Sequence, residues 1–102
     1  MSKLEYKKKF YDSGELRWEK WWLDGEYHNE EGPAFVSYKK DGSVWREEWW
    51  LNGKRHNEEG PAIIYYERDG SVIGKSWWLD GVNYTEEEWK DLVFRKAFEG
   101  AL

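Results

Sequence analysis

The chain has 102 residues, 36% of them charged, with a net charge of −5 and no cysteine. That length suits one domain, the scattered acids argue against nucleic-acid or anionic-membrane binding, and the missing cysteine excludes a disulfide framework and thiol chemistry. Nine Trp, seven Tyr and four Phe offset the high charge, because each buried aromatic removes roughly 150–250 Å² from water.

The N-terminus carries no apolar core of a signal peptide, and no apolar run approaches membrane length. The expected location is therefore the cytoplasm, or the host cytoplasm if the gene is viral. The one basic run, Lys7-Lys8-Lys9, reads as a solvated edge strand, since lysines blunt exposed sheet edges.

From Tyr6 onward the chain repeats with a step of 28 residues. Gly14, Gly42 and Gly70 keep this step, as do Gly25, Gly53 and Gly81, and so do the pairs Trp21-Trp22, Trp49-Trp50 and Trp77-Trp78. Units are placed at about 6–33, 34–61 and 62–84 within a single domain, 1–102. Each unit predicts a first strand (about Tyr6–Tyr11, Ala34–Lys39, Ala62–Glu67) ending at a Ser-Gly or Asp-Gly turn. A second strand follows (about Glu15–Leu23, Ser43–Leu51, Ser71–Leu79) and ends at Asp24-Gly25, Asn52-Gly53 or Asp80-Gly81. His28–Pro33 and His56–Pro61 read as polar connecting loops whose proline opens the next strand.

The hairpin register is open between two readings: a two-residue turn sets Tyr38 opposite Trp45, and a glycine-bulge turn sets it opposite Val44. Strand alternation puts Trp21, Trp49 and Trp77 on one face with Leu23, Leu51 and Leu79, and puts Trp22, Trp50 and Trp78 on the other with Leu16, Val44 and Val72. After Gly81 the repeat breaks. Thr85 and Glu88 form a capping box for a helix at about 86–99, with Trp89, Leu92, Val93 and Phe98 on its docking face and Gly100 at its stop. The predicted fold is mostly β: an antiparallel meander repeat of about six or seven strands closed by a C-terminal capping α-helix.

The string Trp50-Leu51-Asn52-Gly53-Lys54-Arg55-His56, followed by Glu58-Glu59-Gly60-Pro61-Ala62, resembles MORN-like repeat proteins of bacteriophages and large DNA viruses. Leu79-Asp80-Gly81 with Tyr84-Thr85-Glu86-Glu87 and Trp89 is similar to the ending of such phage proteins. The resemblance implies a scaffold or binding surface, with no defined activity.

His28 and His56 are the only histidines. Repeat equivalence and loop-fixing hydrogen bonds explain them better than a metal site, so no metal and no cofactor are expected. Glu30-Glu31 and Glu58-Glu59 could act as paired carboxylates, but they recur in solvated loops, and no nucleophile–base set or phosphate loop accompanies them. No catalytic residue is assigned and no enzymatic activity is expected.

The candidate binding residues are Trp21, Trp49 and Trp77 on one face and Trp22, Trp50 and Trp78 on the other, with one stripe expected to stay accessible. The function read from these features is a non-enzymatic interaction module, a phage or viral accessory protein acting by contact with a protein partner or by self-association. Two alternatives are a carbohydrate-binding module using an exposed Trp ladder and a consensus or engineered repeat without a ligand.

Overall fold

A computed structural model describes residues 2–100. It contains ten strands and one helix: β1 Leu4–Phe10, β2 Leu16–Leu23, β3 Glu26–Tyr27, β4 Phe35–Tyr38, β5 Val44–Glu48, β6 Trp50–Leu51, β7 Lys54–Arg55, β8 Ile63–Tyr66, β9 Val72–Leu79, β10 Val82–Tyr84 and α1 Glu86–Gly100. An eight-stranded antiparallel sheet runs β1-β2-β4-β5-β8-β9-β10, with β3 beside β2, and β6 pairs with β7 in a two-stranded sheet. The long second strand of one unit pairs with the first strand of the next through Glu19↔Val36 and Glu47↔Ile64, which makes the meander continuous.

The repeated glycines build two different turns. At Asp24-Gly25, Asn52-Gly53 and Asp80-Gly81 both residues have positive φ, giving two-residue turns whose twist matches that of the flanking strands. Glycine holds such a φ without steric cost, and Asp and Asn tolerate it better than other side chains. A Cβ on Gly53 would meet the carboxylate end of Glu26 of the preceding unit, an exposed side chain free to move aside, so the backbone φ rather than packing selects glycine here.

The hairpins after the first strands take the glycine-bulge form. The amide of Gly42 donates to the Lys39 carbonyl and that of Lys39 to the Ser43 carbonyl. The Asp41 carboxylate accepts from the Ser43 amide and hydroxyl, and these bonds hold its pKa below the ordinary value.

Tyr38 therefore pairs with Val44 and Ser37 with Arg46, leaving Trp45 as the extra residue. Arg17 and Ile73 are extra in the same way in the outer units. This overturns one face assignment from simple alternation. The extra residue reverses the parity, so Leu16, Val44 and Val72 lie opposite Phe10, Tyr38 and Tyr66, on the face of Trp21, Trp49 and Trp77. The sequence reading also missed the short third arms β3, β7 and β10, and it ran one continuous strand through Trp49, where β5 and β6 separate.

The core is thin. Its buried apolar residues are Ala34, Val36, Ala62, Ile63 and Trp89. They are joined by buried His28, Glu48, His56 and Asn57, each of which meets polar partners, as burial of such groups demands. The molecule extends 53 × 40 × 20 Å, with α1 against β9 and β10.

The capping box forms as its residues require: the Thr85 amide donates to Glu88 Oε1 (2.9 Å) and the Glu88 amide to Thr85 Oγ (3.2 Å). Trp89 seats the helix, with its ring 4.6 Å from that of Trp77 and its Nε1 donating to the Asn57 carbonyl at 2.8 Å. Val93 is half-buried. Phe98, expected on the docking face, is 58% exposed and stacks on Phe94 along the outer side. Leu92 is 37% exposed. The helix runs to Gly100, the residue expected at its stop.

Candidate functional site

Each connecting loop begins with a histidine whose ring is buried. His28 Nδ1 accepts the backbone amide of Asn52 at 2.9 Å, and His56 Nδ1 accepts that of Asp80 at 2.9 Å. Each imidazole thus holds the turn of the following unit, where the left-handed backbone leaves an amide without a strand partner. The asparagine after each histidine organises the loop. Asn29 and Asn57 donate from Nδ2 to the carbonyls of Pro33 and Pro61 and accept the amides of Glu31 and Glu59. Their own amides donate to the carbonyls of Trp50 and Trp78. Among the described residues, no three His, Cys, Asp or Glu side chains gather into a group able to hold a metal ion. The loop carboxylates of Glu30, Glu31, Glu58 and Glu59 are exposed.

All six residues of the two Trp stripes are half-buried, and the stripes are packed differently. Trp22, Trp50 and Trp78 belong to one stack. Lys7 Nζ lies 5.9 Å from the Trp22 ring. Trp22 stacks on Tyr27 at 5.7 Å and 15°, and Tyr27 meets Trp50 at 5.5 Å. The Arg55 guanidinium lies 5.0 Å from both Trp50 and Trp78. Tyr27 and Arg55 occupy the same repeat position, so each fills the gap between successive indoles, one by ring stacking and one by cation–π attraction. Sequence reasoning missed these residues because the position carries Tyr, Arg and Asn83 in turn, and a changing residue gives no repeat signal.

Beneath the stack, Glu48 is 8% exposed. It forms ion pairs with Arg46 Nε (3.0 Å) and Arg55 Nε (3.8 Å) and accepts Trp50 Nε1 at 3.2 Å. At the equivalent place in the third unit Ser76 Oγ accepts Trp78 Nε1 at 2.8 Å.

The other stripe has a different cover in each unit. Trp21 lies against Tyr6 with ring centroids 4.9 Å apart, and Trp77 lies under Trp89. Trp49 lines a groove of about 400 Å³ walled by Asn29, Glu30 and Glu31 of one loop and by His56, Glu58 and Glu59 of the next. The indole nitrogen of Trp49 is buried without a hydrogen-bond partner. At the third-unit end Lys96 reaches Glu58, which lowers the Glu58 pKa and raises that of Lys96.

On the same face, tyrosine–glutamate bonds tie the units together. Glu19 accepts from Tyr38 and from Tyr6 (2.6 Å), and Glu47 accepts from Tyr66. Burial first, and the carboxylate second, push the Tyr66 hydroxyl up to about 12 and raise that of Tyr38 as well.

No family model, curated protein or solved structure matches this chain. The MORN-like resemblance rests on the quoted residues alone.

Proposed function

We propose that the chain is a non-enzymatic interaction module of the MORN-like kind, a phage or viral accessory protein that acts by contact with a protein partner. The observation that carries this reading is the half-exposure of both Trp stripes on a sheet only one layer thick, with one helix covering part of one face. Tryptophan, tyrosine and arginine dominate the energetics of protein interfaces, and the Trp22–Tyr27–Trp50–Arg55–Trp78 stack presents all three side by side. A sugar-stacking platform is the weaker reading, because Tyr27 and Arg55 already occupy the ring faces between units. Among the described residues no helix is long and apolar enough to cross a membrane.

The test is retention of a partner from an extract of the organism that carries the gene. The wild-type chain is compared with Arg55→Glu and Trp50→Ala forms whose melting is measured in parallel. Loss of the partner from a variant that still folds supports the reading. Equal retention by folded variants of both kinds removes the stack as the contact surface.

A further inference from the structure

We infer that the groove over Trp49 is a docking site for a basic peptide segment of a partner protein, anchored by a tryptophan. This deepens the proposed function and rests on it. The repeat itself supplies the argument, because the equivalent place in the third unit is filled within the chain. There Trp89 lies on Trp77 at 4.6 Å, its Nε1 donates to the Asn57 carbonyl at 2.8 Å, and Lys96 pairs with Glu58 of the flanking loop. An indole, a backbone carbonyl acceptor and a cation on a loop glutamate make up that contact.

A shift of 28 residues toward the N-terminus gives Trp49 for Trp77, Asn29 for Asn57 and Glu30 for Glu58. All three line one groove of about 400 Å³, within the roughly 300–1,000 Å³ typical of ligand sites. The covering element is what differs. Trp89 corresponds to Pro61, whose ring carries no donor, so the second unit offers the floor and the walls without the indole. Charge fixes the chemistry of the occupant. Glu30, Glu31, Glu58 and Glu59 rim the groove, all exposed, and the one lysine among the described residues that pairs with them, Lys96, sits at the far end on Glu58. Such a rim attracts a basic segment and repels an acidic one.

The experiment titrates the full isotopically labelled chain with a synthetic lysine-rich peptide carrying a single central tryptophan. Nuclear magnetic resonance follows the Trp49 indole and the Asn29 and His56 amides. Saturable shifts at these groups are expected, with affinity at least tenfold lower when the peptide tryptophan is replaced by alanine. A Glu31→Lys/Glu59→Lys chain should bind at least threefold more weakly at an unchanged melting temperature.

Binding that survives loss of the peptide tryptophan, shifts confined to the Trp22 and Trp50 stack, or no saturation would each overturn the inference. So would a concentration-dependent dimer of the wild-type chain that the rim variant dissociates, since a second copy would then be the occupant. A cellular partner lost with Trp50→Ala but kept by the rim variant would leave the proposed function standing and this groove without a role.

Discussion

The junctions inside the sheet and the two outer edges are built from equivalent repeat positions with opposite chemistry. Inside, Glu19 faces the hydroxyl of Tyr38 and Glu47 faces that of Tyr66, each beside a strand pairing with Val36 or Ile64. At the outer edge of β1 the tyrosine position is Phe10, which has no hydroxyl, and at the open part of β9 the glutamate position is Lys75. If one copy added to another in the internal register, Lys8 would sit opposite Lys75, because the internal equivalents pair as Val36↔Glu19 and Ile64↔Glu47. Like charges directly opposite destabilise a sheet pair. Both halves of the contact are thus lost at the ends, a device against edge-to-edge assembly.

Breaking the cover beside the β9 edge should have the largest effect. Trp89 is 7% exposed and carries both the stack on Trp77 and the bond to Asn57, so Trp89→Ala should cost about 3–5 kcal/mol, measured by denaturant unfolding. Restoring the internal chemistry at the ends is the sharpest probe of the comparison. A chain with Lys8→Val, Phe10→Tyr and Lys75→Glu should form head-to-tail oligomers that sedimentation detects as concentration rises, while the wild-type edges stay unpaired. A triple variant that remains monomeric at all concentrations would show that edge chemistry does not limit assembly.

Within the sheet, Tyr66→Phe should cost about 1 kcal/mol, the net worth of a typical hydrogen bond. Tyr6→Phe, at the exposed edge, should stay within about 0.5 kcal/mol. Titration reports the same junction. The folded-state pKa of Tyr66 is raised from 10.0 to about 12, so the unfolded chain loses that proton first. Its stabilisation is complete below pH 10 and disappears as pH climbs toward 12. Denaturation midpoints should fall over that range, and less steeply in the Tyr66→Phe chain.

The smallest effects belong to the cap's outer side. Phe98→Ala should change stability by less than about 0.5 kcal/mol, since the side chain is 58% exposed. Loss of the Glu58–Lys96 ion pair should weaken the cap slightly in acid. The Glu58 pKa lies below its ordinary 4.5, so its contribution is present above that value and lost as pH falls further.

The repeat, the places of the glycine turns, the pairing between units and the capping box were legible in the sequence because each depends on local chemistry at fixed positions. Glycines at turn positions and a Thr-Glu box announce themselves. The register was narrowed to two choices that Asp41 and Gly42 alone could not separate, and the bulge at Trp45 decided between them. The face of Leu16, Val44 and Val72 followed from that bulge and was misread without it. Tyr27, Arg55 and Glu48 were illegible for another reason: their roles depend on a neighbour one unit away, and their repeat positions change residue type. Phe98 was misplaced because helical spacing marks several apolar positions, whereas tertiary contact selects Trp89 and Val93 from among them.

The constant step of 28 residues has a consequence for valency. The groove floored by Trp49 is formed between consecutive loops, so each further unit placed between the first and the last would add one such groove at a fixed spacing and leave both edges unchanged. Copy number then sets how many contacts one chain offers. A partner that presents its anchors at the same spacing gains effective concentration with every added unit, without any new kind of contact. Duplication or loss of a single 28-residue stretch is therefore enough to tune avidity over a wide range while the chemistry of each groove stays the same.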